Sequence, residues 1–395
     1  MSPSALSVTT VPVTLRLFLT PFARHFRMKG WRIDALSNGA TTERALNGVF
    51  DERFDAAWSR NPLSPSNLIG TAGRVREIVE QNGYDIVHVH TPIAAFVTRF
   101  ALRKLPAKTR PAIIYTAHGF HFYPGQNPVI AAGYRSMERA AARWTDLLVT
   151  INEVDFDAAR RFGTIEPDRV RLIPGIGVDI EDFSPEASDT DASRELRREL
   201  DVSDDAFVLL MVAEFGRVKR HAHLVDALTR VTSGRVVVVF VGEGPLQDRI
   251  RKQVVARHIK ERVRFAGYRH DVPALLAASN ALILVSEREG LPRAVLEAMA
   301  AGRPILGTAT RGITDAVGED SGWIAPKNDA LALARLIDAA ADNPDDVRAR
   351  GIAARQRVES RFALSSIISA YEGLYDEALL SRTSRLSGRS TDKVA

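Results

Sequence analysis

The chain has no cysteine in its 395 residues. That excludes disulfides, thiolate zinc sites and a cysteine nucleophile. Long apolar runs are missing too: the longest, such as Phe207 to Val212 and Val236 to Val241, are strand-sized and far too short to span a bilayer. The first residues lack a charged segment followed by a long apolar stretch, so no signal peptide is expected. A large excess of either charge is missing as well, with 53 Lys and Arg against 48 Asp and Glu for a net of +5. No recognised motif or aromatic platform accompanies the basic residues, so nucleic acid is not an expected partner.

What is present is the composition of a globular protein, 45% apolar and 26% charged. The length suits two domains of ordinary size. The basic surplus is uneven: residues 1–180 hold 22 Lys and Arg against 16 Asp and Glu. It gathers in Arg16 to Arg32 and Arg99 to Arg110. Two readings stand: a solvated basic face, or a surface that approaches anionic lipid or a diphosphate-linked acceptor.

The stretch Ser286 to Gly302 organises the rest. The apolar run Ala281 to Val285 before it reads as a buried parallel strand. A helix follows, which Pro292 can open and Gly302 can close. The loop between them lies at a strand's carboxyl end and feeds a helix N-terminus, where open α/β sheets bind ligands and N–H groups attract phosphate. Glu289 sits in that loop and Glu297 follows eight residues later.

Other strand ends carry polar groups as well. Tyr84 to His90 is a strand that puts His88 and His90 on one side; no carboxylate or third histidine follows at metal-ligand spacing, and no metal is expected. Ile113 to Gly119 ends in His118, placed to meet a ligand, and leads into the aromatic loop Phe120-His121-Phe122-Tyr123. That loop has two open readings, packing across an interdomain cleft or stacking on an acceptor sugar. Leu6 to Thr10 is a short first strand and Leu15 to Lys29 an amphipathic basic helix whose apolar stripe reads as a core face. Strand Phe207 to Val212 precedes Arg217, Lys219 and Arg220, a basic cluster able to neutralise a diphosphate. Strand Arg235 to Val241 leads into Gly242-Glu243-Gly244-Pro245, small residues that let a helix approach closely. The Asp-x-Asp matches at Asp155–Asp157 and Asp189–Asp191 lie away from suitable strand ends and read as chance.

The run E-G-L-P-x-x-x-L-E-A-M-A-x-G-x-P from Glu289 resembles the E-x7-E signature of retaining family 4 glycosyltransferases with the GT-B fold. The resemblance implies that Glu289 lies against the donor sugar, that Glu297 binds the nucleotide ribose, and that backbone amides at Gly290 and Leu291 meet the donor diphosphate. The turn T-A-H-G is similar to the family's T-x-H-G, which would place His118 near the reacting carbon. Lys219 matches the family's phosphate-binding lysine. The usual arginine is replaced by Glu214, which leaves Arg217 or Arg220 to supply the charge. By the same resemblance Gly242, Gly244, Gly267 and Tyr268 border the donor. Thr10, His88, His90, Phe120 and His121 fall on the acceptor side. The family's first turn carries glycine where Thr10 and Pro12 stand here, so a close backbone approach to ligand is not expected there.

The fold expected is therefore α/β: GT-B, with two Rossmann-like doubly wound domains, an interdomain cleft and a C-terminal crossover helix. The boundaries are residues 1–182 for the acceptor-side domain, 193–362 for the nucleotide-sugar domain and 363–380 for the crossover helix, with 381–395 a disordered tail. Residues 185–193 read as linker. The implied activity is retaining transfer of a sugar from a nucleotide diphosphate, a UDP-sugar on resemblance to the exopolysaccharide and capsule branch, to a glycan or polyprenyl-diphosphate-linked acceptor. No cofactor or metal is expected. The expected location is cytoplasmic, with peripheral contact to an anionic membrane through the N-terminal domain. The alternative from another class is a non-catalytic sugar-nucleotide-binding scaffold, suggested by Glu214 and the glycine-poor first turn.

Overall fold

A computed structural model describes residues 2–59, 61–123, 125–183 and 191–387. It divides into two compact units: one runs to Ile176 and takes back the chain from Ile367, and the other spans Gly177–Ser366.

The first unit is built on a seven-stranded parallel sheet: β1 (Ser4–Val8), β2 (Arg32–Ser37), β3 (Arg53–Asp55), β4 (Ile86–Val89), β5 (Ala112–Ala117), β6 (Leu147–Thr150) and β7 (Val170–Leu172). Their order is β3-β2-β1-β4-β5-β6-β7. The second has six strands: β8 (Phe207–Val212), β9 (Val236–Val241), β10 (Val263–Gly267), β11 (Ala281–Leu284), β12 (Ile305–Thr308) and β13 (Gly322–Ala325). Their order is β10-β9-β8-β11-β12-β13. Both are doubly wound, and in each the order reverses beside the first strand, at β1/β4 and at β8/β11. That reversal opens a crevice beyond the strand ends where such sheets take ligands.

The central strands read as continuous apolar runs because helices cover both faces. Every side chain of β11 is at most 1% exposed, and truncating one such leucine to alanine costs about 2–5 kcal/mol. β3 was not foreseen, since Arg-Phe-Asp has neither apolar length nor alternation; it pairs with β2 at the sheet edge. The helix expected over Leu15–Lys29 is not uniform. Leu15–Leu19 forms a wide turn of i→i+5 type before a regular helix at Thr20–Met28, where Pro21 has no N–H to donate. The Thr20 hydroxyl donates instead to the Leu15 carbonyl at 3.3 Å.

The final helix, Leu364–Leu386, continues past residue 380, so the tail expected to be disordered is helical in its first six residues. The expected linker at 185–193 and the match at Asp189–Asp191 fall largely outside the described residues; Asp191 opens the helix Asp191–Glu199.

Candidate active site

The polar strand ends form one group in each unit. In the first unit, His118 follows β5 at a turn where Gly119 has a φ of 118°, a conformation that favours glycine. The Nε2 of His118 lies 3.3 Å from Nδ1 of His90, and the Phe18 ring is 5.5 Å away. Below them, His88 is held at both nitrogens, by the Tyr375 hydroxyl at 2.9 Å and the Thr116 hydroxyl at 2.8 Å. Burial pushes His118 down to about 4 and His88 to about 3, and holds His90 well below its ordinary range, the neighbouring histidines adding to the effect on the last two. These are neutral imidazoles at pH 7, suited to orienting hydroxyls. His118 is thus the third histidine that the sequence spacing did not show. Among the described residues, no group of three or more His, Asp or Glu could hold a metal ion.

Thr10 meets its counterpart beyond β4, its N–H and hydroxyl lying 2.7 and 2.6 Å from the Thr91 hydroxyl. Two residues of the aromatic loop, Phe120 and Phe122, turn inward. Phe120 is 2% exposed and packs on Phe122 and Phe162, so it belongs to the core and cannot stack on a sugar. His121 is half-buried against Tyr134, with ring centres 5.4 Å apart.

Two features of this unit escaped the sequence reading. Asp155, set aside as part of a chance match, is buried, and its carboxylate accepts from the Phe120 N–H at 3.0 Å and from the Asn152 amide at 2.9 Å. It therefore fixes the turn that carries His118; the Asn152-x-x-Asp155 pattern was its signal. Tyr371 and Tyr375, four residues apart on the final helix, reach Thr116 and His88.

In the basic segments of this unit, five of the ten Lys and Arg are ion-paired. Arg99 is fully buried in an ion pair with Glu138 at 3.0 Å, and Arg110 pairs with Asp146. Arg27 pairs with Asp51, Lys29 with Glu372 and Arg32 with Asp34. The expected basic surface reduces to scattered exposed groups such as Arg24, Lys104 and Lys108.

In the second unit, the loops after the neighbouring strands β8 and β11 are stitched together. Lys219 Nζ lies 2.6 Å from Glu289 Oε1, Arg220 meets Glu287 at 3.2 Å, and the Glu287 N–H donates to the Val218 carbonyl at 2.8 Å. Arg217 and Glu214 are exposed. Glu297 lies in the helix Arg293–Ala300 with its carboxylate 2.6 Å from Arg293 Nε. Burial raises its pKa, and Arg293 opposes that rise. No side chain caps this helix at its N-terminus, beside Gly290 and Leu291. A Cβ at Gly242 would stand 2.3 Å from the Ala213 carbonyl oxygen, and one at Gly244 2.7 Å from Phe215 N. These glycines let the β9 turn pack on the loop after β8, which is a structural reason for them. Gly267 has open space around it, and Tyr268 is 57% exposed with its ring against His270. His221, unremarked in the sequence, stacks on Phe215 at 4.1 Å directly after the basic cluster; burial, helped by Lys219, lowers it to about 4.

A group 1 glycosyl transferase model matches residues 192–357, and a glycosyltransferase family 4 model matches residues 18–182. A protein of Bacillus subtilis (strain 168) named as a glycosyltransferase, EpsD, is 30% identical over 95% of this chain and 97% of its own length. The chain belongs to glycosyltransferase family 4. A second relative of this family 4 chain is an Escherichia coli enzyme, UDP-Gal:alpha-D-GlcNAc-diphosphoundecaprenol alpha-1,3-galactosyltransferase, 28% identical over 66% of this chain and 68% of that one. Among solved structures, Anabaena HepE in complex with UDP has a TM-score of 0.80 at 20% identity, covering 95% of this chain and all, 100%, of that one. A Rickettsia africae glycosyltransferase also has a TM-score of 0.80 at 20% identity, covering 96% and 99%. These likenesses show the fold, GT-B with two Rossmann-like domains.

Proposed function

We propose that this family 4 glycosyltransferase moves a sugar from a UDP-sugar to a glycan or a polyprenyl-diphosphate-linked acceptor in bacterial exopolysaccharide, capsule or related glycan synthesis, with retention at the anomeric carbon. The observation that carries the reading is the pairing of Lys219 with Glu289 at the β8/β11 reversal, 2.6 Å apart. A cation and a carboxylate at one strand-end crevice, beside a helix N-terminus without a side-chain cap, suit a diphosphate joined to a hydroxyl-rich sugar. The names of the Escherichia coli relative and of the Anabaena complex support UDP as the nucleotide.

In this reading Lys219 holds the diphosphate, with Arg217 or Arg220 adding charge, and no metal takes part. Gly290 and Leu291 offer backbone N–H groups to it, Gly267 and Tyr268 border the nucleotide, and Glu297 binds ribose. Glu289 positions the donor sugar and His118 acts near its reacting carbon, with Thr10, His88, His90 and His121 shaping the acceptor side. The bond from the anomeric carbon to the diphosphate oxygen breaks as the acceptor hydroxyl attacks the same face, and the hydroxyl proton passes to the departing phosphate oxygen. The charge that develops on both fragments is stabilised by groups already in place. A covalent adduct on Glu289 is disfavoured because the bonded Lys219 ammonium makes that carboxylate a poor nucleophile.

Cytoplasmic location with peripheral membrane approach completes the proposal. That approach is to an anionic membrane through the first unit, where Arg24, Lys104 and Lys108 are exposed and Val129 and Ile130 are exposed at 80% and 52%. The test is a donor-dependence assay with the product anomer read by NMR. A Glu297→Ala variant should need a higher donor concentration, and the product should keep the donor's configuration. Unchanged donor use in that variant, or inversion, contradicts the reading. If the intact protein hydrolyses no UDP-sugar even slowly without acceptor, the scaffold alternative is favoured instead.

A further inference from the structure

The second unit has a cavity of about 600 Å³ at the opposite end of its sheet from Lys219 and Glu289. It lies where β8, β9 and β12 begin, under the helix Pro344–Arg361. Five arginines line it: Arg197, Arg235, Arg303, Arg348 and Arg355. Asp204 and Asp205 are the lining carboxylates.

Elsewhere in this unit several arginines are paired, as in Arg257 with Asp226, Arg264 with Asp201 and Arg350 with Asp346. Here two of the five reach carboxylates outside the lining, Arg355 to Glu359 at 2.6 Å and Arg235 to Asp342 at 3.9 Å. Arg197, Arg303 and Arg348 have no carboxylate within ion-pair distance among the described residues. Arg197 is bonded to neutral oxygens, including the Ala278 carbonyl at 2.9 Å, and Asp204 in the lining offsets part of its charge from beyond ion-pair distance. Arg303 donates once, to the Ala277 carbonyl at 3.2 Å, while its buried Nε has no hydrogen-bond partner among the described residues. Burial, and then repulsion from Arg197, pull Arg303 down to about 10. Arg348 is exposed at the rim. A buried donor without a partner, among five arginines that outnumber the two carboxylates of the lining, is an arrangement that an entering anion relieves.

We propose that this cavity is a second binding site, separate from the strand-end crevice, for a small organic anion carrying two or more phosphates, held by Arg303 and Arg348 with Arg197 behind them. The cavity falls in the size range of small-molecule pockets. Phe207, Val347 and Ile352 provide an apolar wall beside the arginines, which suits a ligand with an organic part. The site does not depend on the glycosyl-transfer reading.

The test is calorimetric titration of the full chain with inorganic triphosphate and, separately, with ATP. The variants are Lys219→Ala, Arg348→Glu and Arg303→Gln. Binding should persist in Lys219→Ala and weaken at least about tenfold in Arg348→Glu, whose exposed and unpaired position leaves the fold intact. Arg303→Gln should show the larger loss. Tighter binding of ATP than of triphosphate places its organic part on the apolar wall, and equal binding leaves the phosphates as the recognised unit; either supports the site. Binding abolished by Lys219→Ala and untouched by Arg348→Glu assigns the anion to the strand-end crevice and overturns the proposal. Absence of binding to the unaltered chain at millimolar triphosphate and ATP overturns it too.

Discussion

The two strand-end groups solve different electrostatic problems with different residues. In the first unit three histidines are packed so closely that burial keeps them neutral, with His118 at about 4 and His88 at about 3. In the second unit the groups are charged and paired, Lys219 with Glu289 and Arg220 with Glu287. A neutral imidazole orients a hydroxyl without competing for a diphosphate. A lysine held by a carboxylate is ready to exchange part of that contact for phosphate. Similar sheets thus carry a neutral polar strand end in one unit and a charged, paired one in the other.

Removing the charge should have the largest effect. Lys219→Ala should lower kcat/KM by about 10²- to 10³-fold, as expected for loss of a group that stabilises developing charge. Retained activity would place the diphosphate elsewhere. His118→Ala should cost about 10- to 100-fold in kcat and leave UDP affinity unchanged; a matching loss of UDP affinity would erase the distinction between the two groups. Asp155→Ala removes the carboxylate that accepts from the buried Phe120 N–H and the Asn152 amide. It should cost about 1–3 kcal/mol of stability in denaturant unfolding and lower kcat, with Asp155→Asn recovering part of both. Wild-type stability with Asp155→Ala would remove its role in the turn.

The smallest effect concerns pH. An ordinary histidine titrates near 6.5, and in the folded chain His118 titrates at about 4. Between these values the unfolded chain binds the extra proton, so the contribution is full above about 6.5 and falls away as pH drops towards 4. Thermal unfolding across that window should show the decline, less steep in His118→Gln. The activity profile should show no limb near pH 6.5 from His118, and an activity limb there that disappears in His118→Gln would contradict a neutral, buried imidazole.

Much of this was readable from local pattern. The strands Phe207–Val212 and Ala281–Leu284 are continuous apolar runs and Ala112–Ala117 is buried throughout; the loops that follow carry their polar residues in short order, so Lys219, Glu289 and His118 are legible there. What stayed hidden depends on partners far apart in sequence. Asp155 is 35 residues from Phe120, and Arg99 is 39 from Glu138; no spacing rule connects them. Phe120 turns inward, and in sequence an aromatic in a strand-end loop looks the same whether it turns inward or outward. In the basic stretch Arg16–Arg32, the partners of Arg27 and Lys29, Asp51 and Glu372, likewise come from other elements. In β3, pairing with β2 overrides a weak local signal.

The most direct measurement of the central claim is calorimetric titration of UDP into the intact chain, Lys219→Ala and Glu297→Ala. One UDP per chain is predicted, with affinity reduced about tenfold or more in each variant, as expected for loss of a charged hydrogen bond. Equal UDP affinity in all three proteins would contradict a nucleotide diphosphate site at the β8/β11 reversal.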